Sequence, residues 1–230
     1  MTMTEKGELY IVSTPIGNLG DVTLRALEVL KTVDWIVCED TRVTLKLLNR
    51  YGIRKPLLSH HSMSRESVVG KIAKIASSGK TLALVSDGGT PLISDPGCRL
   101  ARELIRLGVK IVPIPGPSAV HTALVASGFA VSEYTFVGFL SNKSSRRRRE
   151  LEELKEMKTI IVMFESPHRL LASLRDTLEI FGDVQVCVAK EMTKMFENYY
   201  RGPLGSVLET IGGAAVRGEY TVVIDNRQGM

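Results

Sequence analysis

The sequence predicts an α/β protein with two domains and mostly parallel sheets. Short apolar runs rich in Val and Ile alternate with amphipathic runs along the chain, which is the pattern of strand–helix units. The apolar runs are nearly continuous rather than alternating with polar residues, as in strands that are covered on both faces. Several of the amphipathic runs end at a glycine, the residue that most often terminates a helix.

Eight apolar runs are predicted to be strands, because each is short and rich in β-branched residues. In chain order they are 9–14 "LYIVST", 35–38 "WIVC", 81–86 "TLALVS", 109–114 "VKIVPI", 135–140 "TFVGFL", 159–164 "TIIVMF", 185–189 "QVCVA" and 220–225 "YTVVID". The runs between them have the periodicity of helices.

The predicted helices carry recognisable start and stop signals. In 21–33, Asp21 can cap a helix whose apolar residues follow at helical spacing. In 166–182, Ser166 stands at the N-cap, Pro167 at the first helical position and Gly182 at the end. Three further helices, near 65–78, 98–107 and 117–127, end at Gly79, Gly108 and Gly128. A sixth is predicted after Ser144 or Ser145, as Leu151, Leu154 and Met157 suggest.

The segment "PIPGP", 113–117, is the expected domain boundary, because three prolines and a glycine interrupt the strand–helix pattern there. We therefore expect one α/β domain over 1–116 and a second over 117–230. A cleft where two such domains meet is a natural place for a ligand.

Composition limits the class of protein. Hydrophobic residues make up 44% of the 230 residues and charged residues 24%, as in ordinary globular proteins. No apolar run reaches the roughly 18 residues that a membrane span needs, and "MTMTEKGELY" lacks the apolar core of a signal peptide. Three scattered cysteines and four histidines show no metal-ligand spacing. We expect a cytoplasmic protein with no bound metal.

Four loops that follow predicted strands are rich in small and turn-forming residues: 13–21 "STPIGNLGD", 85–97 "VSDGGTPLISDPG", 115–119 "PGPSA" and 164–169 "FESPHR". None of them fits a Walker loop or a dinucleotide fingerprint, and the first two offer no lysine for a phosphate. The first two loops suit a neutral or cationic ligand with an apolar part. Tight strand-to-helix turns are the alternative, but ligands of open α/β sheets gather at such strand ends.

The segment "CEDTR", 38–42, places Glu39, Asp40 and Arg42 together after a strand. Neighbouring acids can shift each other's pKa and serve as acid or base. A salt-bridged loop with a helix cap is the alternative interpretation.

The segment "KSSRRRR", 143–149, holds five basic residues, Lys143 and Arg146 to Arg149, and no acid. The chain has 30 Lys and Arg against 25 Asp and Glu, a net charge of +5, so the basic excess equals what this tract contributes. Arginines are unfavourable at a helix N-terminus, which is already electropositive, unless an external anion shares the site. The tract therefore predicts contact with a nucleic-acid backbone, the alternative being a solvated charged face.

Taken together, these motifs resemble a known family. "LYIVSTPIGNLGDVTLRALEVLKTVDWIVCEDTR", "LVSDGGTPLISDPG", "PIPGPSAV", "FESPHRLL", "AKEMTKMFENYYRG" and "GEYTVVI" follow in order over 9–224. The set is similar to that of the bacterial 16S ribosomal RNA (cytidine-2′-O)-methyltransferases of the tetrapyrrole methylase-like superfamily. The resemblance implies the two-domain fold of class III S-adenosylmethionine-dependent methyltransferases, with the cofactor in the cleft between the domains. It also implies a homodimer that acts on a cytidine in the decoding region of the small ribosomal subunit.

The resemblance also assigns residues to the methyl donor. By motif, the donor would be held by Pro15, Ile16, Gly89, Thr90, Ile93, Ser118, Ala119, Phe164, Ala189 and Tyr220. Thr90 stands where many relatives in the superfamily carry an acid. Some relatives continue into a C-terminal extension beyond "YTVVID", and any substrate contact made by that extension would be absent here.

The reaction that the resemblance implies needs a group to accept the proton of a ribose 2′-hydroxyl. The candidate catalytic residues are Asp40, Arg42, Glu165 and Lys190, with Glu39 and Glu191 as further candidate bases. Two other functions stay open at this point. One is methylation of a tetrapyrrole or another small molecule by the same fold, for which an arginine tract has little use. The other is a non-catalytic RNA-binding module.

Overall fold

The computed structural model describes residues 7–61, 66–213 and 215–227, and it divides the chain into two compact units. The first unit contains the described residues up to Ser118, and the second contains those from Ala119 onward. Each unit is built around one five-stranded sheet.

The first unit is a parallel α/β unit with two hydrophobic clusters. Its elements are β1 (Glu8–Val12), a 3-10 turn (Leu19–Asp21), α1 (Leu24–Thr32), β2 (Trp35–Cys38), α2 (Thr41–Arg50), β3 (Leu57–Ser59), α3 (Glu66–Ser77), β4 (Leu82–Leu84), α4 (Cys98–Arg106) and β5 (Lys110–Ile114). The strand order is β3-β2-β4-β1-β5, and every pair is parallel. All five strands therefore end at the same edge of the sheet.

The second unit has one mixed sheet and a single large cluster of buried residues. Its elements are α5 (Ala119–Ser127), β6 (Tyr134–Phe139), α6 (Ser144–Lys155), β7 (Ile160–Glu165), α7 (Leu170–Phe181), β8 (Gln185–Lys190), β9 (Asn198–Pro203), α8 (Leu204–Gly212) and β10 (Tyr220–Asp225). The strand order is β6-β7-β10-β8-β9. Only β6 and β7 pair in parallel, because β10 lies antiparallel between β7 and β8, and β9 runs antiparallel to β8.

The α/β class and all eight predicted strands are confirmed. Among the described residues, two α-helices and two strands went unpredicted: α2, α8, β3 and β9. The expectation of mostly parallel sheets is right for the first unit and wrong for the second. Two helix starts also differ. Thr23, not Asp21, caps α1 by accepting from the Ala26 N–H, and α7 begins at Leu170 after a turn over 167–169.

Glycine ends explain why the helix boundaries were readable. Gly79, Gly108, Gly128 and Gly182 all have positive φ, between 73° and 86°, a conformation that costs glycine little. At the end of α6 the expectation fails. Leu151 and Leu154 lie in α6 and are buried, but Met157 follows the helix and is exposed.

Candidate functional site

The carboxyl edge of the first sheet gathers the loops that follow its five strands. Because the strands are all parallel, the residues after β1, β2, β3, β4 and β5 emerge on one side. Ligand sites of open α/β sheets lie at this edge. The sequence predicted four of these strands, and the structure adds the segment after β3, which begins at His60.

Hydrogen bonds tie three of these loops together. Thr14 and Gly89 exchange two backbone hydrogen bonds of 2.9 Å, which join the loops after β1 and β4. The Thr90 hydroxyl lies 3.1 Å from the Ser13 hydroxyl and donates to the carbonyl of Pro117 at 3.2 Å. Thr90 therefore connects the loops after β1, β4 and β5 through a single side chain.

Glycines let these loops approach closely. A Cβ at Gly88 would lie 3.2 Å from the Pro15 carbonyl oxygen, and one at Gly89 would lie 3.4 Å from Cγ2 of Ile16. Gly89 also has a φ of +90°, which side-chain-bearing residues rarely adopt. The structure thus brings together four of the residues predicted to hold the donor: Pro15, Ile16, Gly89 and Thr90.

The rest of the loop after β4 is strained and partly exposed. Leu92 and Ser94 have φ values of 73° and 59°, and such positive values cost a non-glycine residue of order 1–3 kcal/mol. Ile93 between them has half of its side-chain surface exposed, at 50%. An exposed apolar side chain held in a strained loop is consistent with the predicted contact to a ligand.

The end of β2 fits the helix-cap interpretation of "CEDTR". Asp40 caps α2 by accepting from the Arg42 N–H at 2.8 Å, and its carboxylate forms a two-point ion pair with the Arg42 guanidinium. The side-chain and backbone hydrogen bonds from Arg42 lower the pKa of Asp40 to about 2. A carboxylate with so low a pKa is a weak base at neutral pH, which weighs against Asp40 as the proton acceptor.

Three other carboxyl groups lie near this edge: Glu39, Asp87 and Asp95. Burial, followed by the charges of Asp87 and Asp95, raises the pKa of Glu39. Burial, with a smaller contribution from Asp87, also raises the pKa of Asp95, against a hydrogen bond from Ser86. The ionised forms of Glu39 and Asp95 are therefore less favourable in the folded protein than in water.

Replacing Glu39 with Gln should raise the melting temperature at pH 7. Because the folded-state pKa of Glu39 lies above its ordinary value of 4.5, the folded state binds more protons, and stability falls as the pH rises through that window. The amide removes this penalty, so the gain should disappear well below pH 4.5. Thermal unfolding across the pH range tests this, with Glu28→Gln on the exposed face of α1 as the control. An equal gain at all pH values would contradict it.

In the second unit, the predicted site residues fall on two faces of one sheet. Tyr220 of β10 lies opposite Glu165 of β7 and Lys190 of β8. Thr221, the next residue, lies opposite Phe164 and Ala189. Since successive residues of a strand point to opposite faces, Phe164 and Ala189 share one face, and Tyr220, Glu165 and Lys190 share the other. Ala189 and Tyr220 are buried, and Phe164 packs against the rings of Phe136 and Phe139.

Glu165 is buried, at 2% exposure, and is held by Arg169. One carboxylate oxygen accepts from Arg169 and from the Ser166 N–H, both at 2.7 Å. Arg169 also donates to the carbonyl of Leu140. The other oxygen, Oε2, has no hydrogen-bond partner among the described residues. The ion pair fixes the turn between β7 and α7, and Oε2 of Glu165 remains available to accept a hydrogen bond.

Lys190 and Glu191 differ in their surroundings. Glu191 has a φ of 50° and accepts from the Glu219 N–H at 2.9 Å and from Lys194 at 3.0 Å. Burial would raise the pKa of Glu191, but these hydrogen bonds lower it. Glu191 therefore ties two loops together, whereas half-buried Lys190 has no ion-pair partner in the described part of the chain.

The arginine tract is not the uncompensated run that the sequence predicted. Arg147 is buried, at 4% exposure, and its guanidinium pairs with Asp176 of α7 at 2.6 Å. Asp176 also accepts from Ser144 and from Arg148. A buried arginine with a carboxylate partner cannot present its charge to an external phosphate, so the expected RNA contact by Arg147 is not available in this structure.

The other basic residues of the tract are exposed to different extents. Arg146 pairs with Glu150 one turn along α6, and Arg148 pairs with Glu179 as well as with Asp176. Lys143 and Arg149 are exposed and have no ion-pair partner in the ranges that the structure describes. These two residues are the strongest remaining candidates for contact with an anion.

Comparison with known proteins gives the family. The family model for Tetrapyrrole (Corrin/Porphyrin) Methylases matches residues 8–208. The ribosomal RNA small subunit methyltransferase I of Thermotoga maritima is 46% identical over 222 residues, covering 96% of this chain and all of that protein. The chain belongs to the tetrapyrrole methylase family, within its ribosomal RNA small subunit methyltransferase I group. The predicted fold and the predicted enzyme class, a methyltransferase, are confirmed.

A second relative supports the same assignment, and two solved structures share the fold. The ribosomal RNA small subunit methyltransferase I of Bacillus subtilis is 43% identical over 222 residues, covering 96% of this chain and 76% of that protein. A solved cobalt precorrin-4 methyltransferase superposes with a TM-score of 0.72 at 20% identity, covering 94% of both chains. A uroporphyrin-III C-methyltransferase of Thermus thermophilus, complexed with S-adenosylhomocysteine, superposes with a TM-score of 0.66 at 18% identity. The match covers 97% of this chain and all of that one. These two structures show the tetrapyrrole methylase fold.

Two further findings concern the described residues of this family member. No group of three or more His, Cys, Asp or Glu residues within them could hold a metal ion. No helix among them is long and apolar enough to cross a membrane.

One polar residue at the sheet edge went unpredicted as a site residue. His60 follows β3 and is buried, yet neither ring nitrogen has a hydrogen-bond partner among the described residues. The three-residue strand before it was too short to be recognised in the sequence, so nothing marked His60 as lying at a strand end.

Proposed function

We propose that the protein transfers the methyl group of S-adenosylmethionine to a 2′-hydroxyl in 16S ribosomal RNA, at a cytidine in the decoding region of the small ribosomal subunit. The observation that carries this proposal is the 46% identity to a ribosomal RNA small subunit methyltransferase I across that protein's full length. The identity to the tetrapyrrole-modifying neighbours is only 18–20%, which disfavours a tetrapyrrole acceptor.

The loops of the first unit fit the proposed methyl donor. Gly88 and Gly89 leave a cradle that a Cβ would narrow against Pro15 and Ile16, and Thr90 holds the surrounding loops in place. We propose that these residues, with Ile93, Ser118 and Ala119, hold the donor. The contacts predicted for Phe164, Ala189 and Tyr220 stay predictions. When bound, S-adenosylmethionine supplies an electrophilic methyl group.

The protein's own residues must orient the ribose hydroxyl and receive its proton. Lys190 and Glu165 lie in one row across the second sheet, with Tyr220 between them. Glu165 has a buried free oxygen, and Lys190 has a side chain free of ion pairs in the described ranges. We infer that the proton acceptor belongs to this row. Asp40 and Arg42, locked in their ion pair, would serve to shape the loop after β2.

The exposed basic residues would contact the RNA backbone. We propose this role for Lys143, Arg146 and Arg149, with a smaller contribution from Arg148, because their guanidinium or ammonium groups reach solvent. We also infer a cytoplasmic homodimer, which sedimentation of the purified protein can test. Each contact between one of these basic side chains and an RNA phosphate adds a salt-dependent increment to RNA affinity.

One experiment tests the proposed function directly. The purified protein is incubated with methyl-labelled S-adenosylmethionine and with small ribosomal subunits that lack the modification, with free 16S RNA, or with neither. Label at a single cytidine 2′-oxygen, mapped by mass spectrometry of nuclease fragments, is the expected result. Transfer to a precorrin or a uroporphyrin but not to RNA would overturn the proposal. Failure to bind the donor would instead indicate a non-catalytic RNA-binding module.

Replacing Lys190 with Ala should reduce turnover by about 10²–10⁴-fold if Lys190 takes part in proton transfer. Donor affinity should stay within about twofold, since a group that acts only in the transition state leaves ground-state binding unchanged. Single-turnover methylation of small subunits and calorimetric titration of the donor give the two quantities. Lys31→Ala, at an exposed position on α1, is the control. Normal turnover in Lys190→Ala would remove Lys190 from the reaction.

Reversing the charges of Lys143 and Arg149 to Glu should weaken binding to small subunits and flatten its dependence on salt. The slope of log affinity against log salt falls by about 0.7–0.9 for each lost phosphate contact. A filter-binding series in rising salt measures this slope. The control reverses Lys31 and Lys46, which are exposed on α1 and α2, and so applies the same change in net charge. Equal slopes in the two double variants would show that the tract makes no specific contact.

A further inference from the structure

A cavity of about 170 Å³ opens beside the end of β3 in the first unit. Its lining includes His60 and His61, Asp95, and the first residues of α4, among them Arg99. The N–H of His60 donates to the carbonyl of Cys38 at 2.8 Å, which fixes this segment against the end of β2. The cavity therefore lies on the same sheet edge as the loops proposed to hold the methyl donor.

His60 is a buried polar group that lacks a partner. It is 6% exposed, it lines the cavity, and neither ring nitrogen makes a hydrogen bond to a described residue. Burial, with smaller contributions from His61 and Arg99, lowers its pKa, so the ring is neutral at physiological pH. A neutral imidazole offers one donor and one acceptor. Leaving both unmade inside a protein is costly, which points to a ligand that uses them.

The first turn of α4 supplies further donors. Gly97 caps this nine-residue helix with no side-chain hydrogen bond, which leaves the N–H groups of the first turn without a capping partner. Gly97 has a φ of +117°, and a Cβ there would come within 2.9 Å of Leu84 and Leu92. Only glycine lets the backbone at this position approach the Leu84 and Leu92 side chains so closely. Asp95 also lines the cavity, and its carboxyl, which has a hydrogen bond from Ser86, offers further acceptor sites.

The chemistry of these walls selects a class of ligand. The described residues include no group that could hold a metal ion. A phosphate would find a cation in Arg99, but it would also meet the Asp95 carboxyl, whose charge is already disfavoured by burial and by Asp87. The volume is below the 300–1,000 Å³ of pockets for drug-sized ligands, so it suits one small planar group. A neutral group that carries both donors and acceptors on one edge matches the walls, and nucleobases have such edges.

We propose that this cavity binds an unpaired base of the RNA substrate, one that carries an exocyclic amino group. The amino group would donate to Asp95, and the neighbouring acceptor atoms of the base would accept from the α4 N–H groups and from His60. RNA-binding proteins commonly read splayed-out bases on this edge. Uracil, which has a carbonyl oxygen in place of the amino group, would face the carboxylate with an acceptor and is disfavoured. The inference rests on the proposed RNA substrate, and the cytidine proposed as the acceptor is one such base.

Nuclear magnetic resonance of the full chain, with isotope-labelled histidines and backbone amides, tests the proposal. Cytidine, adenosine, guanosine and uridine are titrated separately at millimolar concentrations. Amino-bearing nucleosides should shift the His60 ring nitrogens and the Cys98 and Arg99 amides together, and uridine should bind at least about tenfold more weakly. Equal binding of uridine, or no shift at these groups with any nucleoside, overturns the proposal. The same shifts with inorganic phosphate alone also overturn it, in favour of an anion site.

Replacing Asp95 with Asn should change the relative affinity for uridine and cytidine, which a purely structural role of Asp95 would leave unchanged. An amide can donate as well as accept, so Asp95→Asn should bind uridine as well as cytidine. Donor affinity should be retained, and thermal stability at pH 7 should be no lower than that of the wild type, because the raised pKa of Asp95 is removed. Asp183→Asn, at an exposed aspartate in the second unit, should keep the preference for cytidine. A preference that survives in Asp95→Asn contradicts the assignment of Asp95.

The two proposals fail separately. If the wild-type protein methylates small subunits while its His60 signals ignore every nucleoside, only the cavity assignment is lost. If amino-bearing nucleosides bind the cavity but no methyl group reaches RNA, the proposed function is lost and the base-binding cavity remains.

Discussion

Replacing Asp176 with Ala should lower the free energy of unfolding by about 5 kcal/mol, and replacing Arg147 with Ala by about 3 kcal/mol. Both residues are buried, and they form the ion pair that joins α6 to α7. Removal of one partner from a buried pair leaves the other charge uncompensated, which costs about 3–5 kcal/mol.

The two effects should differ because the remaining partners differ. Without Arg147, Asp176 keeps Arg148 and the Ser144 hydroxyl, so the cost should fall at the lower end of that range. Without Asp176, the one hydrogen bond left to the Arg147 side chain among the described residues is a long contact of 3.5 Å to the carbonyl of Ser141, so the cost should reach the upper end. A larger loss of stability in Asp176→Ala than in Arg147→Ala would therefore show that Arg147 relies on this ion pair more than Asp176 does.

Urea denaturation gives both values by linear extrapolation, provided that the denaturant slope stays that of the wild type. Arg149→Ala is the matched control, because Arg149 lies on the same helix, is exposed and has no ion-pair partner in the described ranges. Its stability should stay within about 0.5 kcal/mol of the wild type. A loss in Arg147→Ala no larger than that in Arg149→Ala would show that the pair contributes nothing.

The sequence could not predict that Arg147 forms a buried ion pair while Arg149 stays exposed. The charge count identified the tract correctly as the source of the basic excess, but the partner of Arg147 lies 29 residues away. Local sequence shows which charges are close along the chain and not which acids face them after folding. An arginine run can hold both structural and substrate-binding members, and only the fold separates them.

The fold was predictable where the signal was local. Buried parallel strands are apolar runs, and helices end at glycines such as Gly108 and Gly128, which adopt positive φ. The missed elements have weak local signals: β3 is three residues long, and β9 is an edge strand with only partial burial. The antiparallel insertion of β10 between β7 and β8 is a long-range pairing, and no local pattern specifies it.

The candidate site shows the same limit. The motifs identified the loops after β1, β4 and β5, because their glycines, prolines and small residues are unusual next to apolar runs. They did not show that Thr90 joins all three loops through its hydroxyl, or that His60 is buried at the same edge without a hydrogen-bond partner among the described residues. Those facts depend on which residues of different loops meet, so they had to come from the structure.

Replacing Gly89 with Ala should weaken donor binding by about tenfold or more. Gly89 has a φ of +90° and is bonded through both its N–H and its carbonyl to Thr14. An alanine would be strained there by about 1–3 kcal/mol, and its Cβ would press on Ile16 at 3.4 Å. Relief of that strain requires the loops after β1 and β4 to separate, and these are the loops proposed to hold the donor.

Gly128→Ala separates this effect from general destabilisation. Gly128 has a φ of 78°, close to that of Gly89, but a Cβ there would meet nothing within 4 Å, and the residue follows α5 in the second unit. Both variants should lose about 1–3 kcal/mol of stability from the positive φ alone. Calorimetric titration with S-adenosylmethionine should then show weaker binding only in Gly89→Ala. Because the two changes impose the same backbone cost, equal donor affinity in both would mean that the Thr14–Gly89 bridge has no part in holding the donor.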